Sequence, residues 1–154
     1  MKITIISLGK FDKPFYIQYF ENYKKRLKWQ VDLIELDLKN SNNLEPQKIK
    51  DQEAKLIEKH LKNFSKIIAL DENGKQFSSI ELAKNLENIG LEGSSNIAFI
   101  IGGAFGLSQD IKKKADILMS LSKLTFPHLM VRIILIEQIY RASTIIYNHP
   151  YHKV

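Results

Sequence analysis

The sequence predicts an α/β fold, with a mostly parallel β-sheet flanked by helices. Three observations carry this. Short runs rich in Ile, Val and Leu alternate with segments whose apolar residues recur at helical spacing, the order produced when helices cross over between parallel strands. One run, "NIAFIIGG" (96–103), is almost uninterruptedly apolar, as suits a central strand buried on both faces. No linker, repeat or low-complexity tract divides the chain, so 1–154 is read as one domain.

Taken in order, "ITIISLG" (3–9) is a strand ending on glycine. Pro14 then sits where a helix can start, because the first helical residue needs no N–H donor. Phe15, Tyr19, Phe20, Tyr23 and Leu27 give 15–28 a helical face. "VDLIEL" (31–36) alternates as a strand and "KNSNN" (39–43) is a loop. Pro46 opens a second helix, with Ile49, Leu56, Ile57 and Leu61 on one face. "KIIALD" (66–71) is a third strand, followed by the turn "ENGK". A helix over 79–89 carries Ile80, Leu82, Ala83 and Leu86. After the central run, Ser108 is placed to cap a further helix. "ILMSLS" (117–122) forms the fifth strand, and a long helix fills 128–147.

Composition removes several function classes. With no cysteine in 154 residues, disulfides, Fe–S clusters, thiolate zinc and thiol catalysis are excluded. The N-terminal apolar run is too short for a signal peptide and lacks a small-residue cleavage site. Arg132, Glu137 and Arg141 interrupt the longest apolar stretch, which argues against a membrane span. A cytoplasmic protein is expected. The net charge is +6, from 23 Lys+Arg against 17 Asp+Glu. Lys10, Lys13, Lys24, Lys25, Arg26 and Lys28 face only Asp12 and Glu21, and Lys112–Lys114 form a second cluster. Such clusters suit a polyanion partner, although solvated helix faces carry them too.

In sheets of this type ligands bind beyond the carboxyl ends of strands, which singles out four loops: "LGKFDKP", "LDENGK", "IGGAFGLS" and "LSKLTFPH". Gly102, Gly103 and Gly106 remove three Cβ atoms where a strand turns into a helix, so backbone N–H groups can approach a ligand closely. The pattern is neither a G-x-G-x-x-G fingerprint nor a P-loop, and it also fits a tight turn without a ligand. In the last loop, Ser122 and Thr125 offer hydroxyls while Leu124 and Phe126 offer apolar walls for a flat heterocycle. A loop that merely fills its own core has the same composition.

The final helix carries Glu137, Arg141, Thr144 and Asn148 at i, i+4, i+7 and i+11, a polar stripe on an otherwise apolar rod. A helix so apolar is buried on several sides, and a homodimer interface is the expected cover. The stripe leads into "HPYHKV". His149 and His152 have no acidic or thiolate partner nearby in sequence, so a metal site is not expected. Tyr151 can stack on a base, His152 can exchange a proton, and Lys153 can hold a phosphate.

Together, "IGGAFG", "LSKLTFPH", "LIEQIYRA" and "NHPYHK" resemble the ribosomal RNA large-subunit methyltransferase H family of small SPOUT-class enzymes. The likeness runs the length of the chain and is densest from Leu70 onward. The resemblance implies an α/β sheet with a C-terminal trefoil knot and a homodimer. It also implies transfer of a methyl group from S-adenosylmethionine to N3 of a pseudouridine in 23S rRNA, on the assembled 70S ribosome. By the same resemblance, Leu70, Gly103, Ser122, Lys123, Leu124, Thr125, Phe126 and Pro127 would surround the cofactor. Arg141, Tyr151 and His152 would form the RNA-side cleft together with Lys153, completed by the partner subunit. Tyr151, His152 and then His128 are candidates to receive the N3 proton. Many relatives carry arginine where this chain has Lys153; lysine keeps the charge without the bidentate fork. Two other classes stay open: a non-enzymatic RNA- or ribosome-binding module, and a nucleotide enzyme using "LGK" with Asp37.

Overall fold

The computed structural model describes residues 1–39 and 43–153. The elements run β1 (Lys2–Leu8), α1 (Pro14–Arg26), β2 (Gln30–Leu36), α2 (Pro46–Glu58), β3 (Lys66–Gln76), α3 (Ser79–Leu91), β4 (Asn96–Ile101), α4 (Gln109–Lys114), β5 (Ile117–Ser120) and α5 (His128–Ile146). Pro14 and Pro46 both stand in the first helical turn, as expected. Ser108 caps α4 by accepting from Ile111 N–H, and Ser78 with Glu81 forms a capping box at α3. Of the loop "KNSNN", residues 40–42 lie outside the described residues.

The five strands form one parallel sheet in the order β2-β1-β4-β3-β5. Alternation along the strands sorts the core into two layers. Ile3, Ile5, Ile97 and Phe99 face α1, α3 and α5, whereas Ile6, Leu8, Ala98 and Ile100 face α2 and α4. Phe99 is fully buried, and each such side chain contributes about 1.5–3 kcal/mol of burial free energy. α5 lies between α1 and α3 and buries Leu135, Ile136, Ile139 and Ala142 within the chain itself. Much of its apolar character is therefore consumed internally rather than by a partner.

Two elements depart from the sequence expectation by more than two residues. β3 runs on through the expected turn to Gln76, because Leu70 and Lys75 both pair with Met119 and residues 71–74 bulge out between them. Gly74 permits this: a Cβ there would lie 2.7 Å from the backbone of Leu118 and Met119. α2 ends at Glu58, so Leu61 packs on the core from outside the helix.

α5 ends in a Schellman motif. His149 N–H donates to Thr144 O, Asn148 N–H donates to Ile145 O, and Asn148 takes a left-handed φ of 53°. The chain is thereby turned back against its own helix. Among the described residues, no helix is long and apolar enough to cross a membrane.

Candidate active site

The carboxyl ends of β3, β4 and β5 enclose a cavity of about 450 Å³, within the range of small-molecule sites. α3 and α4, the helices that connect these strands, pack on opposite faces of the sheet, which leaves the strand ends uncovered. Leu70, Ile101, Leu121 and Val131 give it apolar walls, and Gly102–Leu107 supply backbone along one side. Ser122, Leu124, Thr125 and Phe126 close the other side, with Leu124 70% exposed.

Six of the eight residues expected around a cofactor therefore line one cavity. Lys123 instead borders a separate depression with Glu72, Asn73, Gly74 and Gln76, and Pro127 is the N-cap of α5. The Ser122 hydroxyl accepts from Leu124 N–H at 3.0 Å, so its first task is to fix the loop. The glycines are placed for backbone approach. A Cβ at Gly102 would lie 2.9 Å from the backbone of Gly106 and Leu107, and Gly106 has φ +76°.

Several residues at this end carry no sequence signature. Asp71 and Lys112 form an ion pair at the rim, bordering the cavity together with Lys50. Burial pushes the Asp71 carboxyl up, but bonds from Lys112 and from the Asn73 backbone outweigh it, and the net shift is downward. Glu53 of α2 lies behind Gly103 with its Oε2 unpartnered among the described residues. Burial holds the Glu53 carboxyl above its usual range.

Arg132 is completely buried. It donates to Leu8 O at 2.6 Å, to Gly9 O at 2.9 Å and to Glu35 Oε1 at 2.9 Å, and its guanidinium lies 4.7 Å from the Phe11 ring centre. This strut occupies the end of the first strand, and Gly9 faces His128 and Arg132. The "LGK" turn is thus filled by protein rather than open to a nucleotide. His128 lines the cavity, where burial and then the Arg132 charge lower its pKa against the opposing pull of Asp12.

The expected RNA-side residues gather elsewhere, at the C-terminal end of α5. Glu137 Oε1 accepts from Arg141 Nε at 3.0 Å, from Arg141 Nη2 at 2.5 Å and from the Tyr151 hydroxyl at 3.0 Å. Gln138 donates to Glu137 Oε2 at 2.7 Å. Arg141 Nη1 lies 3.3 Å from His152 Nδ1. Because a guanidinium only donates, Nδ1 is the acceptor and the neutral ring carries its hydrogen on Nε2. Tyr140 meets the Tyr151 ring edge-on at 4.8 Å, and Arg26 of α1 covers Tyr140 at 4.3 Å. Burial, then hydrogen bonds with Tyr23 and Glu137, push the Tyr151 phenol upward, so it is a donor and a poor base. Thr144 is buried and bonds to Arg141 O, which takes it out of the polar stripe.

These two clusters do not meet within one chain. From His128 to Arg141, α5 rises about 20 Å at 1.5 Å per residue. Trp29 Nε1, at the amino end of β2, donates to the Tyr147 hydroxyl, which puts the tail at the opposite end of the sheet from the cavity.

A family model described as a predicted SPOUT methyltransferase matches residues 1–152. The chain belongs to the SPOUT methyltransferase family. It is 46% identical over 159 aligned positions to the ribosomal RNA large subunit methyltransferase H of Alkaliphilus oremlandii, covering 99% of this chain and 100% of that one. The protein of the same name from Clostridium perfringens is 43% identical with the same coverage. A probable methylase family protein from Haemophilus influenzae has a similar fold, at a TM-score of 0.57 and 13% identity, covering 99% of this chain and 70% of its own. The cavity residues and the tail cluster thus belong to one SPOUT scaffold that its relatives carry end to end.

Proposed function

We propose that this protein is an S-adenosylmethionine-dependent methyltransferase that methylates N3 of a pseudouridine in 23S rRNA on the assembled 70S ribosome, working as a cytoplasmic homodimer without a metal. The observation that carries this reading is the glycine-edged cavity at the carboxyl ends of β3–β5, in a chain alike along its whole length to rRNA methyltransferases.

The cavity suits the cofactor in size and lining. Leu70, Gly103, Ser122, Leu124, Thr125 and Phe126 hold it, largely through backbone groups and apolar walls, with Leu121 and Val131 completing the lining. When bound, S-adenosylmethionine would supply a methyl group on a sulfonium, whose sulfur would keep the bonding electron pair on transfer to the acceptor nitrogen. Most of the rate then comes from placing N3 in line with that methyl carbon. Arg141, held rigid by Glu137, offers charge to the RNA backbone. Tyr151 offers an aromatic edge, and His152 offers Nε2–H to a carbonyl of the base. Tyr151 is a donor in this reading, which leaves His128, neutral and beside the cavity, as the side chain able to take the N3 proton.

The separation of the clusters along α5 supports the dimer. Two chains paired through α1 and α5 in antiparallel fashion bring each tail to the other's cavity. The exposed Phe15, Ile17 and Tyr19 of α1 and Met130 of α5 supply apolar surface for that contact. The test is methyl transfer to 70S ribosomes and to isolated subunits from a strain lacking the modification. Two inactive chains, Gly103→Val and one lacking 149–154, are also mixed. Recovery of activity in the mixture is expected. Labelling of 23S rRNA by neither 70S particles nor subunits ends the reading, and failure of the mixture alone ends the shared site.

A further inference from the structure

Glu53 is a charged residue where the pattern demands an apolar one. On α2 it lies four residues after Ile49 and four before Ile57, on the face that packs against the sheet, and it is 9% exposed. A buried carboxyl is expected to have a partner, since an ionised group taken out of water without one is strongly disfavoured. Glu53 Oε2 has none among the described residues. The group is pressed against the glycine loop: a Cβ at Gly103 would lie 2.9 Å from Oε2 and 3.0 Å from Cδ. A single glycine backbone therefore separates this carboxyl from the cavity. Three of the other charged residues lining the cavity are Glu72 and the two lysines. Lys50 stands one turn earlier on α2 at the cavity edge, and Lys112 of α4 is paired with Asp71.

An unpaired acid behind a ligand-facing loop has a purpose if the ligand brings the missing cation. On the functional reading above, the donor carries one net positive charge more than the product left after transfer, because the sulfonium becomes a neutral thioether when its methyl group leaves. We propose that Glu53 is a positioning residue that selects the cationic methyl donor over its neutral product, acting through Gly103. The carboxylate attracts the loaded cofactor and has no corresponding attraction for S-adenosylhomocysteine, which favours product release. A charge pair a few ångströms apart near a protein surface interacts strongly enough for a selectivity of about tenfold.

The experiment measures Kd for S-adenosylmethionine and S-adenosylhomocysteine by calorimetry in wild type, Glu53→Gln and Glu53→Asp. Glu53→Gln is expected to weaken the donor about tenfold, leave the product within about twofold, and raise the Tm of the ligand-free protein. Glu53→Asp, which keeps the charge, is expected to retain most of the preference and stands in should the glutamine variant not fold. Equal weakening of both ligands, or an unchanged ratio, overturns the proposal by reducing Glu53 to a support for the loop. Wild type binding neither ligand overturns the methyltransferase reading together with it, whereas product binding with unaltered selectivity overturns this inference alone.

Discussion

The two ends of α5 are built on opposite plans. At the amino end, a cavity is edged by glycines and loop backbone, with a buried acid behind it whose Oε2 has no partner among the described residues. At the carboxyl end, side chains satisfy one another: Glu137 holds Arg141 and Tyr151, and Arg141 reaches His152. Backbone suits a ligand of fixed shape, because amides and carbonyls cannot swing away. A network of long side chains suits a partner brought to the surface, since it keeps the charge of Arg141 oriented without entropy left to lose on contact.

The largest expected effect separates the two ends outright. Removing 149–154 should lower methyl transfer at least about 100-fold, the scale of lost positioning, while S-adenosylhomocysteine binding stays within about twofold. Loss of both in parallel would show that the ends are not independent. Next, Arg132→Leu removes the strut under the cavity end and strands the Leu8 and Gly9 carbonyls. A cost of about 3 kcal/mol, or roughly 10 °C in Tm, is expected in a thermal melt. Glu137→Gln should reduce kcat/KM about 10- to 100-fold with cofactor Kd unchanged, because a charge-assisted network is lost at the tail alone.

Smaller effects sharpen the same contrast. Asn148→Ala forces a Cβ-bearing residue without a polar side chain into φ 53° and should cost about 1 kcal/mol, whereas Asn148→Gly should be nearly neutral. His128 has a folded pKa held below 6.5. As pH falls through 6.5, the unfolded chain takes up this proton first, so stability declines until the folded pKa is passed. His128→Gln should flatten that part of the stability curve between pH 7 and 5.

Periodicity made the elements legible. "NIAFII" reads as a buried central strand because both of its faces are apolar, and Pro14, Pro46 and Ser108 mark helix starts by what each does to a backbone donor. The cavity loops were legible through Gly103 and the Ser122–Pro127 segment. The extension of β3 was not, since "DENGK" has turn chemistry and only pairing with Met119 carries the strand past it. Glu53 and Arg132 were also missed, because charged residues are normally read as solvated. Both nevertheless fall in phase with their neighbours' apolar faces, Glu53 with Ile49 and Ile57, and Arg132 with Leu135, Ile136 and Ile139. The separation of tail and cavity followed from helix length, which was visible, and from the direction of α5 across the sheet, which was not.

α5 is fastened at both ends, by Arg132 to the Leu8 and Gly9 carbonyls and by Tyr147 to Trp29. It therefore works as a ruler. Adding one residue between Arg132 and Glu137 would lengthen it by about 1.5 Å but rotate everything beyond by about 100°, swinging Arg141 to another face of the helix. A seven-residue insertion would restore the bearing to within about 20° yet push the tail about 10 Å further on. Neither change preserves both angle and distance, so the helix tolerates substitution along its length far better than it tolerates any change in its number of residues.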